Sequence, residues 1–115
     1  MMSEFSIQLE ARAPALGRWR AYRIEVGQDL FGSWVVATTF GRIGSSGRTV
    51  FQAAPSETEA RRLVAQSLHR RASAPRRIGV GYRQTEVRDL LGWMSQFPVP
   101  ELASGERQWA LIDRV

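Results

Sequence analysis

The chain has 115 residues, a formal net charge of +5 at neutral pH, a single histidine (His69) and no cysteine. This length suits one compact domain, and because neither a signal peptide nor an apolar run of about 18 residues is present, we expect a soluble, cytoplasmic protein without membrane contact. The composition excludes disulfides, thiolate zinc sites, cysteine nucleophiles and histidine-based metal clusters.

The basic residues, 16 in number, are all arginine, and seven of them fall in residues 61–83. That stretch contains no Asp or Glu, and its arginines are Arg61, Arg62, Arg70, Arg71, Arg76, Arg77 and Arg83. A GC-rich coding preference would also favour arginine over lysine. Guanidinium groups, however, bind phosphates bidentately and stack on bases, and the clustering indicates a local positive field that suits an anionic partner.

Four segments have the patterns of β-strands. Apolar and polar residues alternate in residues 5–12 and again in residues 21–26, as they do in strands with one buried face. Residues 34–40 are rich in aromatic and β-branched side chains, which favours a strand covered on both faces, and residues 48–52 form a fourth strand. We expect a turn at residues 29–32, between the second and third strands.

Three glycines, Gly41, Gly44 and Gly47, surround Arg42 and precede the fourth strand. Because glycine permits positive φ angles, this spacing predicts a tight hairpin. A phosphate-binding P-loop would need a lysine-serine pair and a helix to follow, whereas a strand pattern comes next, so the hairpin is the better interpretation.

The main helix is predicted to start at Ser56, with Glu59 at the capping-box position, and to end near Arg71. Its apolar face follows helical spacing and consists of Ala60, Leu63, Val64 and Leu68. The opposite face carries Arg61, Arg62, Gln66, His69 and Arg70 toward solvent. Arg70 and Arg71 have two interpretations, since cations suit the negative end of the helix dipole as well as an anionic ligand.

Ala74 and Pro75 are expected to end this helix, and residues 76–83 to form a loop or short strand. Helical spacing returns in the next segment, where it predicts a second short helix closed by residues 97–100 and built on Val87, Leu90, Leu91 and Met94. In the tail, residues 101–115, three apolar side chains either pack on the domain or contact a protein partner, namely Trp109, Leu111 and Ile112.

Several of these segments resemble, in order and spacing, the WGR domain, a family named for a Trp-Gly-Arg triplet and known from poly(ADP-ribose) polymerases and stand-alone bacterial proteins. The resemblance rests on the basic-aromatic residues 18–26, the Asp-Leu-Phe-Gly turn, the signature-like segment at residues 40–47, the helix after Ser56 and the closing Gly81-Tyr82. It covers residues 5–83 and implies an α+β fold, with an antiparallel β-sheet of about four to five strands flanked by one main α-helix. Residues 84–115 would then form a C-terminal helical extension, with the second short helix, and a tail.

The resemblance also implies a ligand. In the polymerases the tryptophan and arginine of the signature lie close to a DNA end, and in this sequence the matching positions are Phe40 and Arg42. Arg48 stands where a glutamine often follows. We therefore expect a nucleic-acid-binding module, with DNA as its partner, that holds the phosphate backbone independently of sequence and prefers ends or nicks. The candidate contact residues are Phe40, Gly41, Arg42, Arg48, Arg20, Arg61, Arg62, Arg76 and Arg77.

The sequence leaves other interpretations open. The alternative function is a protein-protein interaction module within a larger complex, which the apolar side chains of the tail favour. An enzyme is not expected, because the sequence has no nucleophile and base with supporting spacing, no metal-ligand cluster and no cofactor fingerprint. At the site itself, Arg42 could lock the hairpin by hydrogen bonds to carbonyl groups instead of contacting a ligand. Trp19 and Trp34 are expected to pack within the sheet, since large aromatic residues on strands usually bury.

Overall fold

Five antiparallel strands form a single sheet in the computed structural model, which describes residues 2–97 except for the side chains of Met2, Arg77, Ile78 and Gln96. In chain order the strands are β1 (Met2–Ala13), β2 (Arg18–Gln28), β3 (Trp34–Arg42), β4 (Arg48–Ala54) and β5 (Arg83–Asp89). Their order across the sheet is β4-β3-β2-β1-β5, so β1 to β4 follow one another as neighbours and β5 pairs with the free side of β1. The four strands predicted from the sequence are confirmed, and β5 takes the place of β1 as an edge strand.

The main helix, α1 (Glu57–Ala72), covers one face of the sheet, which we call the inner face. Its start is confirmed, because the Ser56 hydroxyl accepts a hydrogen bond from the backbone N–H of Glu59 at 3.2 Å. The predicted apolar face is confirmed as well, with Leu63 partly buried and three residues fully buried, Ala60, Val64 and Leu68. The sheet and the helix together give the α+β class that the sequence predicts.

The core lies between α1 and the inner face, and strand alternation builds it. Every second residue of β1 and β2 points inward, which buries Phe5, Ile7, Leu9, Ala11, Tyr22, Ile24 and Val26. Burying one Val, Leu, Ile or Phe side chain stabilises the fold by roughly 1.5–3 kcal/mol. The intervening residues occupy the opposite, outer face, where Arg23 forms an ion pair with Glu25 at 3.4 Å and donates a hydrogen bond to Gln8 at 3.2 Å.

The turn predicted at residues 29–32 joins β2 to β3. The Asp29 carboxylate accepts hydrogen bonds from the backbone N–H groups of Phe31 and Ser33, both at 2.9 Å, and Gly32 adopts a φ of +80°. The aspartate and the glycine therefore fix the turn. Leu30 and Phe31 stand at its tip, 100% and 91% exposed.

The expectation of a loop or short strand over residues 76–83 is wrong for its first part, because α2 (Ala74–Ile78) continues the helical path after Ser73. Pro75 falls in the first turn of α2, where a missing backbone N–H costs no intrahelical hydrogen bond. The proline therefore begins a helix rather than only ending one. This helix is not the second short helix that the spacing predicts, which was expected after residue 83.

The predicted helix over Val87 to Met94 is wrong. Val87 lies in β5 opposite Ile7 of β1, and only Met94–Gln96 forms a short 3-10 turn. The helical spacing of apolar residues misleads here because β5 is an edge strand with mostly exposed side chains, so burial does not impose strict alternation on it.

After β5 the chain turns back and adds an aromatic cluster to the core. The Asp89 carboxylate accepts three backbone hydrogen bonds at 3.3, 3.0 and 3.0 Å, from Leu91, Trp93 and Met94. This turn places Trp93, which is 1% exposed, against Phe5 with ring centroids 5.4 Å apart, and Phe97 packs edge-on against both rings. Residues after position 83 thus contribute to the same hydrophobic core.

No helix within residues 2–97 is both long and apolar enough to span a membrane. The tail residues Trp109, Leu111 and Ile112 lie outside the described part of the chain, as do residues 98–100 of the expected closing segment. A protein contact through the tail therefore stays a prediction.

Candidate nucleic-acid interface

A cavity of about 520 Å³ opens where β2 begins and β3 ends, next to the last turn of α1. Five arginines line it, namely Arg18, Arg20, Arg42, Arg70 and Arg71. Four aromatic residues accompany them, namely Trp19, Tyr22, Phe40 and Tyr82, and none of the described lining residues is acidic. We call this site the basic cavity. Its volume falls within the range of roughly 300–1,000 Å³ that is typical of ligand sites.

Strand alternation explains why β2 contributes two of the arginines. Arg18 and Arg20 are two residues apart and share the inner side of the sheet with Tyr22. Across the ladder, Phe40 is paired with Tyr22 and Arg42 with Arg20. An aromatic pair and a cationic pair therefore lie next to each other on the same side of the sheet. Both Arg20 and Arg42 are exposed, and neither side chain forms an ion pair or hydrogen bond within the described residues.

Arg71 brings the end of α1 into the cavity. Its guanidinium carbon lies 4.3 Å from the centroid of the Tyr22 ring, which is cation-π geometry. Tyr82 packs edge-on against Tyr22 with ring centroids 6.4 Å apart, and both tyrosines are buried. The Nε atom of Arg71 is buried and has no hydrogen-bond partner among the described residues. Tyr22, packed against Tyr82, thus holds the Arg71 guanidinium by a cation-π contact, while one of its donors stays without a partner among the described residues.

The hairpin between β3 and β4 fixes the position of Arg42. The Arg42 carbonyl accepts hydrogen bonds from both the backbone N–H and the hydroxyl of Ser45, at 3.0 and 2.7 Å. A Cβ atom on Gly47 would lie 2.7 Å from the Phe40 carbonyl oxygen, so the loop packs directly against the strand. The predicted hairpin is confirmed. It is Ser45, and not the guanidinium of Arg42, that locks the turn.

A second contact ties this hairpin to the neighbouring strand. The backbone N–H of Ile43 donates a hydrogen bond to the Trp19 carbonyl at 2.9 Å, beyond the last ladder pair between Arg20 and Arg42. The loop is therefore held from two sides, by β2 and by its own serine. The guanidinium of Arg42 extends from a fixed backbone.

The structure brings together only part of the predicted site. Phe40, Gly41, Arg42 and Arg20 line the basic cavity. Arg48 is exposed and lies opposite Phe40 on β4, outside the lining. Arg61 and Arg62 lie on α1 and Arg76 on α2, and none of the three is in the lining. Arg77 is also on α2, and its side chain lies outside the described part of the structure.

Arg62 has a structural partner. Its guanidinium lies 2.7 Å from the Glu59 carboxylate one helical turn earlier. This hydrogen bond and the positive charge of Arg62 lower the pKa of Glu59. Arg62 is less available to an anionic ligand than the cavity arginines Arg20 and Arg42, because its charge is already paired with Glu59 in the first turn of α1.

Four of the other cationic or aromatic lining residues are not among the candidates predicted from the sequence, namely Arg18, Trp19, Tyr22 and Tyr82. Arg70 and Arg71, for which an anionic ligand was one of two interpretations, also line the cavity. One signal was available, since alternation alone puts Arg18 and Arg20 on the same side as Tyr22. The convergence of Arg71 and Tyr82 on that strand needs the tertiary fold. Of the two tryptophans expected to pack, Trp34 does so against Trp93, at 6.3 Å between ring centroids, whereas Trp19 is half-buried beside the cavity.

Comparison with known protein families identifies the domain. The sequence model of the WGR domain matches residues 5–74, which is more than half of the chain and runs from β1 to the start of α2. No curated protein and no solved structure matches the chain significantly. The match includes Phe40, Gly41 and Arg42, the segment that resembles the signature triplet. The chain therefore belongs to the WGR domain family.

Proposed function

We propose that this WGR domain is a nucleic-acid-binding module, with DNA as its ligand, and that it binds rather than catalyses. WGR domains of poly(ADP-ribose) polymerases commonly bind nucleic acid. The observation that carries the proposal is the basic cavity, in which five arginines and four aromatic residues meet without an acidic residue among the described lining. Guanidinium groups pair with phosphates and aromatic rings stack on bases, so the lining matches both parts of a nucleotide.

Affinity in this proposal comes mainly from arginines. Contacts to phosphates release counterions, so binding weakens as salt rises and does not depend on base sequence. Arg20 and Arg42 are the primary contacts, because both are exposed and neither is used in an ion pair among the described residues. Arg48 extends the contact onto β4. Secondary contacts come from the arginines of the two helices, Arg61, Arg62, Arg76 and Arg77.

The preference for ends or nicks is assigned to Phe40. Its side chain is 40% exposed, lines the basic cavity and is two residues from Arg42. A ring in this position stacks on a base only where the base presents an open face, as it does at an end, at a nick or in a single strand. Phosphate contacts from the arginines then hold the adjoining backbone.

Fluorescence polarisation with labelled DNA tests the proposal. The ligands are a blunt duplex, a nicked duplex, a single strand and a duplex closed at both ends by hairpin loops, with an RNA duplex of the same sequence for comparison. We expect salt-sensitive binding that is weakest for the closed duplex. Absence of binding even at low salt would remove the nucleic-acid function.

Two variants in the basic cavity and one matched control outside it locate the contact with DNA. Arg42→Gln and Arg20→Gln are expected to lower affinity. Arg88→Gln removes the same charge from an exposed residue that lies opposite Ser6 on the outer face, and it is expected to have little effect. Equal losses in all three variants would reduce the proposal to a diffuse charge effect and contradict a site in the basic cavity.

A further inference from the structure

The two edges of the sheet differ in how they resist pairing with another strand. At one edge, the ladder between β5 and β1 shifts register between Gln8 and Leu9. Four of the seven residues of β5 are charged, Arg83, Glu86, Arg88 and Asp89. Charges and irregular pairing of this kind discourage the addition of a further strand. The β5 edge is therefore protected.

The β4 edge has neither device. After Arg48 the strand reads Thr-Val-Phe-Gln-Ala-Ala, without charge or proline, and its pairing with β3 is regular. Phe51 is 70% exposed and Val50 is 45% exposed. One side of β4 pairs with β3, and no described strand lies on the other side. Unpaired backbone groups along a strand of high β-propensity form a template for another strand.

We propose that β4 pairs antiparallel with β4 of a second copy of the chain, about a two-fold axis at Phe51. This inference goes beyond the proposed nucleic-acid function and does not rest on it. In this register Phe51 faces Phe51 of the second copy, Val50 faces Gln52 and Arg48 faces Ala54. No like charges are opposed, and the central phenylalanines form a cross-strand aromatic pair.

The self-complementary register favours a second copy over an unrelated strand. A two-fold contact uses the same patch twice, so any charge near its centre would oppose itself, and the centre of β4 carries none. The only charge of the strand, Arg48, meets the end of the second β4, where the chain passes through Pro55 and Ser56 into the acidic first turn of α1. Like charges are therefore not opposed at either end of the contact, and the two-fold axis repeats the arrangement.

The contact is small, which determines how it should be measured. A strand of seven residues a side is well below the roughly 20–30 residues a side of a standard interface. The dimer is therefore reversible and depends on concentration. Since the paired strands run in opposite directions, the two basic cavities lie at opposite ends of the joined sheet.

Sedimentation equilibrium of the full chain, over a concentration series up to about 1 mM where even weak association is populated, tests the proposal. We expect the wild-type mass to rise from monomer to dimer. Phe51→Lys and Phe51→Glu each place like charges opposite each other, so each variant alone is expected to stay monomeric. An equimolar mixture of the two restores the dimer, because lysine then faces glutamate. Circular dichroism confirms that these exposed substitutions leave the fold intact.

Leu30→Lys is the matched control. It also replaces an exposed apolar residue by lysine, but at the tip of the turn between β2 and β3, and wild-type association is expected to persist. A wild-type chain that stays monomeric over the whole series overturns the proposal. If both Phe51 variants still form dimers, the chain assembles through another surface, and the proposal is overturned. If the mixture of the two variants fails to form a dimer, the two-fold register is wrong, and the proposal is overturned as well.

Discussion

Arg20 on β2 and Arg42 on β3 lie directly opposite each other in the ladder, and both line the basic cavity. Like charges at directly opposed positions are destabilising, by roughly 0.2–1 kcal/mol. Among the described ion pairs, none neutralises either guanidinium. A phosphate bound by both side chains would turn this repulsion into attraction. The facing pair therefore lowers the stability of the free domain and raises its affinity for a phosphate.

Replacing Arg42 by glutamine is expected to make the domain more stable and a weaker binder at the same time. The free energy of unfolding should rise by about 0.2–1 kcal/mol at low salt, because the repulsion with Arg20 is removed. The dependence of log affinity on log salt should fall by about one counterion. Urea unfolding and polarisation titrations measure the two effects.

Phosphate ions provide a check on this interpretation. A ligand that binds only the folded state stabilises it, so added phosphate should raise the unfolding midpoint of the wild-type chain more than that of Arg42→Gln. Arg88→Gln, with the same change in charge, should keep the wild-type response. A less stable Arg42→Gln variant, or an unchanged affinity, would contradict the expected exchange of stability for binding.

Phe40→Trp restores the aromatic residue of the family triplet and is expected to strengthen the preference for ends. Phe40→Ala should weaken it by about 1–3 kcal/mol, the range for loss of one base stacked on an aromatic ring. The measured quantity is the ratio of affinities for blunt and closed duplexes. Phe31→Ala, which removes an exposed ring from the opposite end of β2 and β3, is the control. If the ratio is the same in all variants, Phe40 does not select ends.

Local patterns account for the part of the fold that could be predicted. The cap at Ser56, the turn at Asp29 and the alternation along β1 and β2 each rest on neighbours in sequence. β5 escapes prediction because its partner, β1, is far away in the chain, and because its exposed side chains need no apolar alternation. Pro75 misleads for a related reason, since a proline both ends one helix and suits the first turn of the next.

In the candidate site, too, residues that are close in sequence could be predicted, whereas contacts between distant residues could not. Phe40, Gly41 and Arg42 could be found because they lie together in one signature segment. The cavity itself needs the end of α1 to be placed over β2, and sequence spacing carries no information on that placement. The interaction of Arg71 with Tyr22 joins residues nearly fifty positions apart, so neither of the two interpretations of Arg71 at the sequence level includes it.

Gly47→Ala is expected to destabilise the domain and to disturb the site. Gly47 has a φ of +68°, and an added Cβ would lie 2.7 Å from the Phe40 carbonyl oxygen, so the variant suffers both backbone strain and a clash. Positive φ at a residue other than glycine costs about 1–3 kcal/mol, and the clash adds to this. Gly44→Ala is the control, because Gly44 has a φ of +90° but open space around its Cβ position. Equal losses of unfolding free energy in the two variants would mean that the clash with the Phe40 carbonyl adds nothing to the backbone strain.

The residues after position 83 are expected to be necessary for folding, although the family match ends at residue 74. A chain that ends at residue 83 loses β5, Trp93 and Phe97, which exposes Phe5, now 0% exposed, and leaves β1 as an edge. Truncating one buried tryptophan to alanine costs about 3–5 kcal/mol, against a total stability of about 5–15 kcal/mol for a typical domain. We therefore expect the chain ending at 83 to show no cooperative urea transition, and the chain ending at 97 to unfold like the full chain.

The stability of Asp89→Ala should fall between those of the two truncated chains. The variant removes the acceptor of three backbone hydrogen bonds, so its free energy of unfolding should be lower than that of the full chain by about 1–3 kcal/mol. A cooperative transition in the chain ending at 83 would show instead that the WGR domain folds without the strand and the aromatic cluster.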